Sequence, residues 1–522
     1  MLRYLLPVLI ASTSSAQLRA DQVLVVYDSR VPDSVLVAEH YAGSANVPGG
    51  IGGVAGSRPR VRVFDLASQG ALTVNPGTMS LNQYVNRLRD PLRAYLEAND
   101  LVHDVRCLVL TKGMPHRIRD TDNASIGDDP AAAFQEFVQK DATYSSVDSE
   151  LTMLWQDLEL NENGGPADSK IDGQVVNPYF TLNTSINEFS TEHIRTAKLF
   201  TGYNGNNGQY WTTVDFFPIE FQLTPGDIVL VCRLDGHTVD DVRAMIDRGR
   251  HIVIDMDTVG IVLDESDSNG IADPTNNKEL DNQGFLDPPD DYETVRDDVF
   301  ADGRFNPFRV HYDALAGQDN FIVGPNLSFD GEGIVVSDPL ILLAHYGSNH
   351  AGPKPGGIND PLARDLYAES FNYAPGAIFN TIESFNGRNF GGVGEWQNQE
   401  QIADFIAAGG TLGVAHAWEP FSTTIASNTY LVRHFLLGSL TWAEAAYTSF
   451  TDLSWQHMVL GDPLARVVRS SEDLDGDGAV DVDDLHMWEF NPTDIDRDGL
   501  ANDVDRQILF RTIRFYETQR RR

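Results

Sequence analysis

Two acidic stretches near the C-terminus have the residue types and spacing to hold a hard dication. The first is Asp473-Leu-Asp475-Gly-Asp477-Gly478-Ala479-Val-Asp481-Val-Asp-Asp484. Calcium takes about six to eight oxygens, and a loop of about twelve residues supplies them from positions 1, 3, 5, 7, 9 and 12, with Gly at 6 for the sharp turn. Here those positions are Asp473, Asp475, Asp477, the carbonyl of Ala479, Asp481 and Asp484, with Gly478 at the turn. A second stretch, Asp494-Ile-Asp496-Arg-Asp498-Gly499-Leu500-Ala-Asn502-Asp-Val-Asp505, starts 21 positions later. Its ligand set is Asp494, Asp496, Asp498, the carbonyl of Leu500, Asn502 and Asp505. The expected cofactor is Ca2+. The alternative, an acidic solvated tail, gives no reason for Gly at position 6 twice.

A second kind of chemistry is possible where three apolar runs end in polar side chains. Pro339–Ala344 leads into His345-Tyr346-Gly347-Ser348-Asn349-His350, and Gly376–Ile382 into Glu383-Ser384-Phe385-Asn386-Gly387. Thr411–Ala415 leads into His416-Ala-Trp418-Glu419-Pro420. If these runs are neighbouring parallel strands, their ends share one rim. A hydroxyl nucleophile needs a base, and the base needs an orienting acid. Ser384, His345 (or His350) and Glu383 or Glu419 could form that set. No G-x-S-x-G elbow surrounds Ser384, so plain polar caps on strand ends are the competing reading.

The elements that must position these groups alternate in type. Val23–Tyr27, Val61–Phe64, Val105–Leu110, Ile228–Cys232 and His251–Asp255 are short apolar runs, hence buried strands. Between them lie helical patterns. One follows Ser34, its expected N-cap; one spans 80–99, with Leu81, Tyr84, Leu88, Leu92 and Leu96 on one face; one spans 239–248. Further helices are expected at 399–408 and 431–446. Alternation of this kind predicts an α/β body with a mostly parallel, doubly wound sheet. Asp28, Lys112 and Asp235 fall just beyond strands, where open α/β sheets bind ligands. The cationic loop Thr111-Lys112-Gly113-Met-Pro-His116-Arg117 is either an anion site or a satisfied loop.

The expected division is a leader at 1–16, body segments at 17–262 and 305–470, an acidic insertion at 263–304 and the calcium-binding tail at 471–522. Met1 to Ala16 has the Arg3, apolar core and small-residue cleavage site of a signal peptide, and no other stretch is long and apolar enough to span a bilayer. Within the insertion, Glu265-Ser-Asp267-Ser-Asn269-Gly270-Ile271-Ala-Asp273 keeps the start of a calcium loop but has Asn276 at position 12. It is read either as a further calcium site or as a flexible acidic segment. The formal net charge of −38 makes nucleic acid an unsuitable partner, since phosphate binding depends on Lys and Arg. The two cysteines, Cys107 and Cys232, lie in strand-like runs and read as buried thiols, with pairing left open.

The C-terminal stretch resembles a type I dockerin, a calcium-dependent pair of loop-helix repeats, over roughly 471–514. Each loop runs into a helical pattern (Leu485 and Trp488; Val504, Ile508 and Leu509), and both loops end in Asp where an EF-hand has Glu. The link from Glu489 to Thr493 is short for that family. The resemblance implies a small all-α module and a cohesin-like or cell-surface partner. The body resembles a family of secreted bacterial proteins with no assigned activity. The marks are Val25–Tyr41, Thr111–Pro115, Val147–Leu151, Asn177–Tyr179, Arg233–Gly236 and Trp418–Pro420. It also resembles the gingipain-like cysteine peptidases, which implies a caspase-type fold. By order, His345 falls at that family's His position, Ser384 at its Cys position, and Gly461-Asp462-Pro463 at its closing motif. Tyr346 separates His345 from Gly347, and Ser replaces the Cys. Two functions follow as expectations. One is a secreted calcium-binding protein, attached through its tail, whose body lacks peptidase activity. The other is a secreted hydrolase using Ser384, His345 and Glu419, peptidase-like or polysaccharide-degrading.

Overall fold

The computed structural model describes residues 17–69, 77–118, 145–155, 175–189, 199–200, 213–214, 225–250, 252–255, 258–264, 291–301, 305–313, 321–326, 333–345, 366–393, 399–418, 420, 424–475, 480–495 and 500–521. The apolar runs form one large sheet. Its strands in chain order are β1 (Val23–Tyr27), β2 (Arg62–Asp65), β3 (Cys107–Thr111), β4 (Leu230–Leu234) and β5 (Gly260–Asp264), then β6 (Val310–Asp313), β7 (Leu340–His345), β8 (Tyr373–Thr381), β9 (Leu412–His416) and β10 (His457–Leu460). The spatial order is β6-β5-β7-β8-β9-β10-β4-β3-β1-β2, ten strands in all. Pairing is parallel from β6 through β9 and from β4 through β2. β10 runs antiparallel to β9 and joins β4 through one pairing, Leu460 with Arg233. The fold is therefore α/β, with a large, mostly parallel mixed sheet. Both body segments contribute strands to it.

Side chains on successive strand residues point to opposite faces, and the core follows that rule. Leu24, Val26, Leu108, Leu110, Val229 and Val231 share one apolar cluster with Tyr84, Leu88, Leu92 and Leu96. Val23, Val25, Cys107, Val109, Leu230 and Cys232 belong to another, with Tyr41, Val242 and Ile246 from helices α1 (Pro32–Ala42) and α2 (Val239–Arg250). Each such fully buried side chain contributes about 1.5–3 kcal/mol. Cys107 and Cys232 are free thiols. They sit side by side, and burial followed by the neighbouring Cys107 pushes the Cys232 thiol well up.

Several local expectations change. Helix α1 starts at Pro32, so Ser34 is inside it; its hydroxyl bonds the Asp28 N–H (3.0 Å) and Thr111 Oγ1 (2.7 Å), tying β1 to β3. The helix expected at 80–99 contains a wider π-type turn at Val85–Arg89 ahead of Pro91. The helix expected at 431–446 is broken: a turn at Val432–Leu436 ends before Gly438, and Trp442–Tyr447 restarts from a capping box of Thr441 and Glu444. The region read as an acidic insertion contains helix α3 (Asp291–Ala301), which buries Tyr292, Val295 and Val299. Asp291 accepts the N–H groups of Asn428 (2.9 Å) and Thr429 (2.8 Å), so this helix belongs to the core. Glu265 to Asn276, the leader at 1–16, His350 and Glu419 lie outside the described residues.

The chain leaves the large sheet through Val467–Arg469, which pairs in parallel with Ile252–Ile254. Two helices follow, α4 (Val482–Phe490) and α5 (Asp503–Arg521). Val480, Trp488, Ile495, Leu509 and Ile513 form a small core that includes Val468, with Val253 against it. Thr512 on α5 donates to the buried Glu472 (2.8 Å). Among the described residues, no helix is long and apolar enough to cross a membrane.

Candidate functional site

The two tail loops close in the same way. Asp484, at position 12 of the first, accepts the N–H groups of Leu474 (2.6 Å) and Asp475 (3.3 Å) on one oxygen and that of Asp481 (2.6 Å) on the other. Asp505, at position 12 of the second, accepts Ile495 N–H (2.6 Å) and Asn502 N–H (2.7 Å) on its two oxygens. Position 9 repeats as well: Asp481 accepts from Asp483 (2.9 Å) and Asn502 from Val504 (2.8 Å), so each side chain caps the helix that follows. Ligand oxygens of Asp473, Asp475 and Asp484 lie within 4.8 Å of one another. Burial pushes the Asp484 carboxyl up, against the pull of its three N–H partners, and Asp475 adds to the rise. A dication would reverse that balance. Asp494, Leu500 and Asn502 stand at their loop positions; Asp477, Ala479, Asp496 and Asp498 lie outside the described residues.

In the body, β7, β8 and β9 are adjacent and parallel, so His345, Glu383–Ser384 and His416 do share a rim. Of the expected catalytic set, His345 and Glu383 lie close together, while His350 and Glu419 fall outside the described residues. The Ser384 hydroxyl is bonded to Gln399, receiving its amide N–H at 3.0 Å, and among the described residues it has no bond to a histidine. His345 instead contacts Glu400, with Tyr367 (4.9 Å) and Phe379 (6.3 Å) edge-on to its ring. Glu383 is buried beside them, and one ligand atom each from His345, Glu383 and Glu400 lies within a 4.8 Å span. His416 donates from Nδ1 to the Glu383 carbonyl (3.2 Å), which leaves Nε2 unprotonated, buried and without a hydrogen-bond partner. Burial, and then His457 at 5.4 Å, holds His416 neutral. Burial also pushes His457 down to about 4. Phe385, next to Ser384, has φ of +57°, a conformation that non-glycine residues adopt at a cost.

The other polar positions singled out in the sequence have structural partners. Lys112 is buried and donates to Gly236 O (2.6 Å) and Asp235 (3.3 Å), so this cation of the loop is paired internally. Arg233 is fully buried and grips Asp148 with Nε (3.0 Å) and Nη2 (2.6 Å) and the Pro115 carbonyl at 2.7 Å. Burial works against its charge, but Asp148 and Asp235 raise its pKa. Asp462 accepts Tyr41 OH (2.6 Å) and Arg58 Nε (2.7 Å), which makes the Gly-Asp-Pro segment a clamp between strand and helix. Trp418 donates to Ser145 O (3.3 Å) and lies under the guanidinium groups of Arg117 and Arg388.

Sequence reasoning missed Glu400 and Gln399. The signal was there: Gln399-Glu400-Gln401 precedes the first apolar residue of the helix Ile402–Ala407, and this helix starts beside the ends of β8 and β9. No protein-family model, curated protein or solved structure matches the chain.

Proposed function

We propose that this is a secreted, calcium-binding protein. In this reading the C-terminal loops form a small all-α, dockerin-like module that attaches the body to a cohesin-like or cell-surface partner outside the cell. The body is a doubly wound, caspase- or gingipain-like unit without a serine-peptidase centre. The observation that carries the reading is the duplicated closure, in which Asp484 and Asp505 hold equivalent backbone N–H groups ten and three residues earlier. An acidic tail selected only for solubility has no reason to repeat that pattern. Exposed apolar side chains also concentrate here: Val482, Met487 and Phe490 on α4, then Leu500, Val504 and Phe510, with Phe490 93% exposed. Contiguous exposed apolar surface marks interaction sites. The leader-like first sixteen residues support export. The bonding of Ser384 to Gln399 supports a non-peptidase body.

Calorimetric titration of Ca2+ into the full chain should give two tail sites, one lost in Asp484→Ala and the other in Asp505→Ala. A chain that takes up no calcium at ~1 mM free ion, the weak end of the range for such loops, sinks the proposal. For the body, a fluorophosphonate should leave Ser384 unlabelled. An adduct on Ser384 that disappears in His345→Ala would establish the hydrolase reading instead.

A further inference from the structure

The buried set His345, Glu383 and Glu400 lies far in sequence from the calcium loops and differs from them in donor chemistry. His345 ends β7, Glu383 follows β8, and Glu400 precedes the helix Ile402–Ala407. Three separate segments thus deliver one imidazole and two carboxylates to one point. The side chains are only 1%, 3% and 1% exposed. Their ligand atoms fall within 4.8 Å of one another; ligands bonded at about 2.0–2.2 Å to a tetrahedral ion sit roughly 3.3–3.6 Å apart, so a small inward adjustment of these side chains completes the site.

The geometry points to a divalent transition-metal site, with zinc as the type ion, held by the imidazole of His345 and one carboxylate oxygen each from Glu383 and Glu400. The donor set selects the metal class. Calcium and magnesium prefer all-oxygen shells, whereas imidazole with carboxylates suits zinc and its neighbours. Three protein ligands leave a fourth position open, the pattern of zinc sites that bind water or substrate. The surroundings fit. Tyr367 and Phe379 fix the ring of His345 by edge contacts. His416, anchored on the Glu383 carbonyl, adds a buried imidazole on the same rim, its Nε2 without a hydrogen-bond partner among the described residues. The positive φ of Phe385 locks the turn that carries Glu383 off the end of β8, its N–H donating to the Trp418 carbonyl at 2.8 Å.

The test is zinc binding by the full chain with calcium kept saturating, so that the tail loops do not take up zinc. One equivalent of Zn2+ should remain after gel filtration, measured by plasma mass spectrometry. Glu383→Gln and Glu400→Gln should each weaken it by about 100-fold with the calcium stoichiometry unchanged. Crystals of the wild-type chain should show an anomalous peak at the zinc edge between His345 and Glu383, a readout that does not depend on any variant folding. No retained zinc, retention unchanged in both variants, or a peak elsewhere overturns the assignment.

Discussion

The tail and the body organise polar groups in opposite ways. In the tail, the groups that must meet are at most eleven positions apart within each loop, and the loop backbone supplies their partners. In the body, His345 meets Glu400 and Arg233 meets Asp148 across 55 and 85 positions, and the sheet brings them together. A local site is readable from spacing, and the proposed ion would balance its clustered charge. An assembled site is hidden from spacing and depends on the whole core.

Chelation tests that contrast most strongly. Clustered tail carboxylates repel without a cation, and metal binding in such loops is coupled to folding. In hydrogen exchange on the full chain, calcium removal should strip protection from 480–513 while β1, β3 and β4 stay protected. Equal loss in both regions would mean that they fold as one unit. Arg233→Ala should give the reverse pattern. It leaves Asp148 buried without its main counter-charge, a change that costs about 3–5 kcal/mol. Urea unfolding of the body should shift accordingly while calcium binding by the tail stays intact; a shift under about 1 kcal/mol would mean that water already reaches the pair.

A smaller effect comes from pH. Burial pushes His434 and His457 down to about 4, from 6.5 in the unfolded chain. Their neutral forms favour the fold, so this contribution is complete above pH 6.5 and is lost as pH falls through about 4. Each histidine is worth on the order of 3 kcal/mol. Asp452, pushed up to about 7 by burial, acts in the other direction, its contribution present at low pH and lost as pH rises through about 7. In an Asp452→Asn background the unfolding free energy of the body should therefore drop between pH 6.5 and 4, and His457→Asn should reduce that drop by on the order of 3 kcal/mol. An unchanged slope in His457→Asn would place that imidazole in water.

Legibility in the sequence follows the same division. The strands and the α/β class could be read because residues 23–27, 107–110 and 230–232 are apolar throughout, as strands covered on both faces are. The loop closures by Asp484 and Asp505 were implied by position 12. The partner of His345 was not, because Glu400 lies beyond a separate strand and no period links them. Ser34 was misplaced for a related reason: Pro32 can itself open a helix, which frees the serine hydroxyl to tie two strands. The helix Asp291–Ala301 was hidden by its acids, since Asp291 is used as a cap for another helix and only three of its side chains form the apolar face.

If the tail attaches the protein as proposed, the parallel pairing of Val467–Arg469 with Ile252–Ile254 has a mechanical consequence. Tension entering from the tail reaches the body first at Arg469. A pull along that strand loads the Ile252–Val467, Val253–Val468 and Ile254–Arg469 pairings together. Val468 also belongs to the tail's own core. Under that attachment the three-residue seam takes the load ahead of the large sheet, with Val468 and Val253 packed on the side of the anchor.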